Sequence, residues 1–98
     1  MYLNTGIKEK VVDEIKNLAC KYDVEKVILF GSRARGDYKD RSDIDLAATG
    51  GKVDMFSLAV DEETSTLLKY DVVNMGASVQ EELLQSIEEE GIIIYEKV

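Results

Sequence analysis

Val24-Glu25-Lys26-Val27-Ile28-Leu29-Phe30-Gly31-Ser32-Arg33-Ala34-Arg35-Gly36, followed after a short polar stretch by Ser42-Asp43-Ile44-Asp45-Leu46-Ala47-Ala48-Thr49, is the part of the chain that decides the fold. Val24 to Phe30 is a near-continuous apolar and β-branched run, the pattern of a central strand, and it stops at Gly31. Asp43 to Thr49 begins by alternating polar and apolar residues, which predicts a second strand, closed by Gly50-Gly51. Residues 31–42 between them are glycine-bounded, polar and basic, so the first strand turns through a short helix into a functional loop.

Upstream, Ile7, Val11, Ile15, Leu18 and Tyr22 recur at helical spacing, predicting an amphipathic helix over residues 5–22 that Asn4 or Thr5 can cap. Downstream, Phe56, Ala59 and Val60 mark a helix from Val53 to about Glu63. Thr64 to Lys69 has no decided pattern, and Tyr70 to Met75 predicts a third strand stopped by Gly76. Ser78-Val79-Gln80-Glu81 has the spacing of a capping box opening a helix that ends at Gly91, and Ile92 to Tyr95 makes a short last strand. The order α-β-β-α-β-α-β, with no proline, repeat or linker, reads as an α/β (α+β) domain, a small mixed sheet with helices packed on it, over residues 1–98.

A chain of 98 residues with 45% apolar and 33% charged residues can build one packed core. Twelve basic against 20 acidic residues give a net charge of −8, which argues against direct nucleic-acid binding through phosphate neutralisation and suits a basic or positively patched partner. No stretch approaches the roughly 18 to 20 apolar residues of a membrane span, and Met1 to Val12 lacks a signal-peptide pattern, so a cytoplasmic protein without membrane contact is expected. A lone cysteine, Cys20, forms no internal disulfide and is expected to be a passive small hydrophobe of the first helix. The absence of histidine removes Ser-His and Cys-His nucleophile pairs and, with a single cysteine, a zinc site, and with them most hydrolase chemistries.

Side chains alternate along a strand, so Asp43 and Asp45 point to one side while Ile44 and Leu46 face the other. Such a pair is either an acidic strand end in water or a hard-oxygen site suited to Mg²⁺ or Mn²⁺. Asp71 is a third carboxylate in an apolar strand; it either faces solvent from an edge strand or lies alongside the pair on an adjacent one. Three convergent aspartates can hold two metal ions and clamp a nucleoside triphosphate. Gly31-Ser32 offers close backbone approach, exposed amides and a hydroxyl to a phosphate, or is simply a turn. Arg33, Arg35 and Arg41 place positive charge nearby, although the Walker spacing of nucleoside triphosphatases is missing. Arg35-Gly36-Asp37 spells the integrin-binding tripeptide, which a chain without secretion signal or disulfides does not use.

Gly31-Ser32-Arg33-Ala34-Arg35-Gly36 followed by Ser42-Asp43-Ile44-Asp45-Leu46 and then Asp71 resembles the signature of the DNA polymerase beta-like nucleotidyltransferase superfamily, in its minimal nucleotidyltransferase branch. The resemblance runs from Val24 to Asp71, and the closing helix with Gly91-Ile92-Ile93-Ile94-Tyr95 is similar to the end of those small domains. It implies the polymerase beta-like fold and a triphosphate gripped by Ser32 and the Gly31 backbone. It also implies two Mg²⁺ ions held by Asp43, Asp45 and Asp71, with Asp71 on the catalytic metal and helping to deprotonate the acceptor, and Ser42 among the nucleotide contacts; Arg33 and Arg35 are either phosphate contacts too or solvent-facing loop charges or partner contacts.

Larger members add a domain that presents the acceptor, and this chain carries none before Val98, so the acceptor is expected on another chain. Small stand-alone members resemble the antitoxin halves of two-gene modules whose partner is an all-helical HEPN toxin. The implied activity is transfer of AMP from ATP to a toxin hydroxyl, a tyrosine, which neutralises the toxin. Two other readings stay open: a binding antitoxin whose transferase site has decayed, and a small-molecule nucleotidyltransferase completed by another subunit. Tyr38, Phe56 and Tyr70 are the candidates to stack on a base, with no sequence feature that selects one of them.

Overall fold

Four strands, β1 (Lys26–Phe30), β2 (Ile44–Thr49), β3 (Tyr70–Asn74) and β4 (Ile92–Glu96), form one mixed sheet in the order β3-β2-β1-β4. The computed structural model describes residues 4–97; Met1 to Leu3 and Val98, part of the expected single-domain span, lie outside the described residues. β1 is flanked by β2 and β4, both antiparallel to it, while β3 joins β2 in parallel across the helix that connects them. The apolar run that predicts a central strand is therefore an inner one.

Four helices complete the fold: α1 (Glu9–Lys21), the short α2 (Ser32–Arg35), α3 (Val53–Glu63) and α4 (Glu81–Glu90). Strand alternation divides the core in two. Val27, Leu29, Ile44, Leu46 and Ala48 face α1 and α3, where Val11, Ile15, Leu18, Phe56 and Val60 meet them. Phe30, Ala47 and Val73 face the other way and are covered by Ile87 and Leu83 of α4. Asp45 and Asp71 share the parity of Ala47 and Val73, so they belong to the α4 side of the sheet, beyond the part that α4 covers. Among the described residues no helix is long and apolar enough to cross a membrane.

Several boundaries differ from the sequence reading. α1 begins at Glu9 after Lys8, with no side-chain cap, because Thr5 uses its hydroxyl to accept the Ile7 amide 3.2 Å away and stays buried ahead of the helix. α4 begins at Glu81 after an extended Gln80, so Ser78 is too far upstream to cap it and the capping box is not formed. β2 starts one residue later than expected, which leaves Asp43 just outside the strand. Cys20 is exposed beside Tyr95, not a packed small hydrophobe.

Candidate active site

The end of β1 and the beginnings of β2 and β3 lie side by side, and the candidate residues gather there. Phe30 pairs with Asp45, and Asp45 is in register with Asp71 on the adjacent parallel strand, a separation of about 4.8 Å between strand axes. One residue after Phe30, Gly31 takes φ 76° and ψ −156°, a backbone conformation open to glycine and strained for other residues. A methyl group built on Gly31 would lie 2.2 Å from Asp45 Oδ2. Glycine is thus required twice here, for the turn and for the close approach of the backbone to the Asp45 carboxylate.

Gly31 opens α2, and its carbonyl accepts the amides of Ala34 and Arg35 at 3.1 Å each. The amides of Ser32 and Arg33, in the first turn, have no intrahelical acceptor, which leaves donors beside the Asp45 carboxylate. Gly36 ends the helix in the left-handed conformation, φ 93°, and returns its amide to the Ser32 carbonyl at 2.9 Å.

Asp45 is half-buried, whereas Asp43 and Asp71 are exposed. Burial raises the Asp45 carboxyl from its ordinary value near 3.8 to about 6, and the Asp71 and Asp43 charges add to the shift against the opposing effect of Arg35. Asp43 and Asp71 both act on Asp45, and Asp71 faces solvent from an edge strand while lying alongside Asp45 on the adjacent one. Among the described residues no three acidic side chains close tightly enough to cage an ion as they stand. The donor set nonetheless suits a hard divalent cation: oxygen ligands only, one of them desolvated, in a cluster whose self-repulsion a cation relieves. Asp43 and Asp71, being exposed, have the rotamer freedom to close on it.

The loop arginines separate in role. Arg35 is exposed and bonded to Asp37 at 3.2 Å and to Glu90 of α4 at 3.1 Å, close enough to Asp45 to lower its proton affinity. Arg33 is 2% exposed and is a correction to the sequence reading. Its guanidinium donates to the carbonyls of Thr5 (2.8 Å), Ser42 (3.0 Å), Asp40 (3.3 Å) and Lys39 (3.5 Å), and the Tyr38 ring covers it at 4.8 Å. These bonds tie the 36–42 loop to the segment before α1 and engage the guanidinium with main-chain carbonyls. Ser42 belongs to the same tie: its hydroxyl accepts the Lys39 amide at 2.8 Å. The candidate base-stacking residues are occupied too, since Phe56 is in the core, Tyr38 covers Arg33, and the Tyr70 hydroxyl pairs with Thr64 Oγ1 at 2.8 Å. Burial pushes the Tyr70 phenol up to about 12. Glu90 escapes the sequence reading because it is one acid in the run Glu88-Glu89-Glu90.

The Gly31 turn is thus pressed against the Asp45 carboxylate, with Asp71 in register beside it. The family model for Polymerase beta, Nucleotidyltransferase matches residues 13–98. The chain belongs to the polymerase beta nucleotidyltransferase family. A Methanocaldococcus jannaschii protein, provisionally named a protein adenylyltransferase, is 41% identical to it over 100 residues, an alignment covering 90% of this chain and 98% of that protein. Among solved structures, a toxin-antitoxin complex with AMP-PNP superposes with a TM-score of 0.69 at 20% identity, and a mutant toxin-antitoxin pair, MntA-HpeT, with 0.69 at 17%. Each match covers 88% of this chain and 73% of the other. A Sulfolobus solfataricus protein provisionally named a nucleotidyltransferase matches at a TM-score of 0.57 and 21% identity, over 98% of this chain and 87% of that one. The nucleotidyltransferase fold expected from the sequence is the observed one, shared with chains of solved toxin-antitoxin complexes, and the chain is a nucleotidyltransferase.

Proposed function

We propose that this nucleotidyltransferase moves AMP from ATP to a hydroxyl, a tyrosine, of a helical HEPN toxin and so acts as its antitoxin. The observation that carries the reading is Gly31 held against Asp45 with Asp71 in register on the next strand. Together they make a phosphate turn and a carboxylate cluster at one sheet end. The relative named for protein adenylyl transfer and the toxin-antitoxin neighbours support protein as acceptor and a toxin as partner.

The Gly31 backbone and the Ser32 hydroxyl bind the β- and γ-phosphates, with the first-turn amides of α2 as donors. Asp43, Asp45 and Asp71 would hold two Mg²⁺ ions, for which Mn²⁺ could substitute. When bound, these cations neutralise the charge of the triphosphate and of the carboxylates. Arg35, on a mobile-length side chain at the cluster's edge, steadies the phosphates; Arg33 and Ser42 serve by fixing the loop. The acceptor oxygen forms a bond to the α-phosphorus as the α-to-β bridging bond breaks, pyrophosphate departs on the Gly31 side, and Asp71 orients the acceptor hydroxyl and helps remove its proton.

Calorimetric titration with a non-hydrolysable ATP analogue tests the nucleotide part. Binding should require Mg²⁺ and disappear in the Asp43→Asn, Asp45→Asn double variant while that variant stays folded. Binding indifferent to both Mg²⁺ and the two substitutions would sink the reading.

A further inference from the structure

A groove of about 870 Å³ lies beside this site, between the segment before α1, the 40–43 loop and the 65–69 loop that leads into β3. Of the carboxylates assigned to the metal ions only Asp43 lines it. Its apolar lining is Ile7, Val11 and Leu68, and Leu67 stands fully exposed along it. Glu14 accepts the Ser65 amide at 2.8 Å and the Ser65 hydroxyl at 2.7 Å, so α1 fixes the wall that the 65–69 loop supplies.

Lys8, Arg41 and Lys69 line the same groove against the two carboxylates of Asp40 and Asp43. Among the described residues none of these three cations forms an ion pair. A protein of net charge −8 with 20 acidic residues thus keeps three unpaired cations around one apolar groove. Charge of this sign in that place selects an acidic ligand.

Which acidic ligand follows from the chemistry, and here the inference rests on the proposed transferase reading. Gly31, Asp45 and Asp71 lie in a row across β1, β2 and β3. With pyrophosphate leaving on the Gly31 side, in-line substitution brings the acceptor from the β3 side, and Lys69 precedes Asp71 by two residues. Among the described residues no aromatic side chain lines the groove to stack on a nucleotide base, and neither Gly31 nor Ser32 reaches it. We propose that the groove docks the acceptor polypeptide, through acidic residues flanking the modified hydroxyl and an apolar side chain seated on Leu67 and Leu68.

The test uses two fluorescent tyrosine peptides on the full chain, one with glutamate and leucine flanks, the other with lysine in place of glutamate. By anisotropy the acidic peptide should bind at least about tenfold more tightly, and weaken as salt rises from about 0.05 to 0.5 M. The Lys8→Gln, Arg41→Gln, Lys69→Gln variant should lose that preference and keep its affinity for Mg²⁺-ATP. Equal binding of the two peptides, or unchanged binding by the variant, would overturn the proposal; so would loss of Mg²⁺-ATP affinity in the variant, which would make the groove a nucleotide subsite. Acidic-peptide binding without AMP transfer to any acceptor would uphold the groove and refute the transferase reading instead.

Discussion

Replacing Asp45 by asparagine should stabilise the protein at neutral pH while removing the proposed nucleotide site. Asp45 is held against the Gly31 backbone, in register with Asp71, and its carboxyl is raised from near 3.8 to about 6. Because the folded value is the higher one, the native state binds the proton more tightly than the unfolded chain does. The charged carboxylate therefore destabilises the fold fully above pH 6, and that cost fades as pH falls through 6 toward 4. A shift of about two units corresponds to a ceiling of about 3 kcal/mol. Asp45 is only half-buried, so solvent screening reduces the expected gain to about 1 kcal/mol. In a domain of this size that is a rise of about 4 to 8 °C in Tm. The assay is thermal unfolding of wild type and Asp45→Asn in chelator at pH 7.5 and pH 4. The variant should melt higher at pH 7.5 and level with wild type at pH 4. A variant no more stable at pH 7.5, or equally stabilised at both pH values, would refute the reasoning.

Arg33→Lys should cost about 2 to 4 kcal/mol in chemical denaturation, because a lysine cannot reproduce a guanidinium fork that serves four carbonyls and would leave buried acceptors unpaired. Near-wild-type stability would mean that the loop is fastened elsewhere. Gly31→Ala should lower stability by about 1 to 3 kcal/mol through its positive φ and, by driving its methyl into Asp45 Oδ2, weaken Mg²⁺-ATP binding more than about tenfold. Unaltered nucleotide affinity in that variant would remove Gly31 from the site. Tyr70→Phe should cost about 1 kcal/mol for the lost bond to Thr64 and leave nucleotide affinity unchanged, since the Tyr70 side chain faces the α1–α3 core and not the carboxylates. A fall in nucleotide affinity would place the Tyr70 ring in the site.

The sheet was legible because its strands carry their burial in the sequence: Val27 to Phe30 has no polar interruption, and Asp43-Ile44-Asp45-Leu46 has an unambiguous period of two. The adjacency of Asp71 and Asp45 was one of two readings, since a strand pattern does not name its neighbour; the parallel β2–β3 pairing decides it. Helix starts were read less well. Thr5 and Ser78 are good cap residues, but the Thr5 hydroxyl is taken by the Ile7 amide two residues on and Gln80 stands extended, so α1 and α4 both start later. Arg33 could not be told from Arg35, because a basic residue in a polar loop reads the same whether it meets a phosphate or a carbonyl. The usable signal was that residues 36–42 have little apolar side chain beyond Tyr38 to bury, so their loop needs a polar anchor. Glu14 and Glu90, which hold the 65–69 loop and Arg35, are single acids among 20 and carry no local mark.

The central claim is tested most directly by incubating the purified chain with α-labelled ATP, Mg²⁺ and a HEPN-type helical toxin with which it forms a complex, and following the label by gel and intact mass. The account predicts one or more AMP groups on a toxin tyrosine, none with the Asp43→Asn, Asp45→Asn double variant, and loss of toxin activity in step with modification. A complex that forms and silences the toxin with no AMP transferred would contradict it.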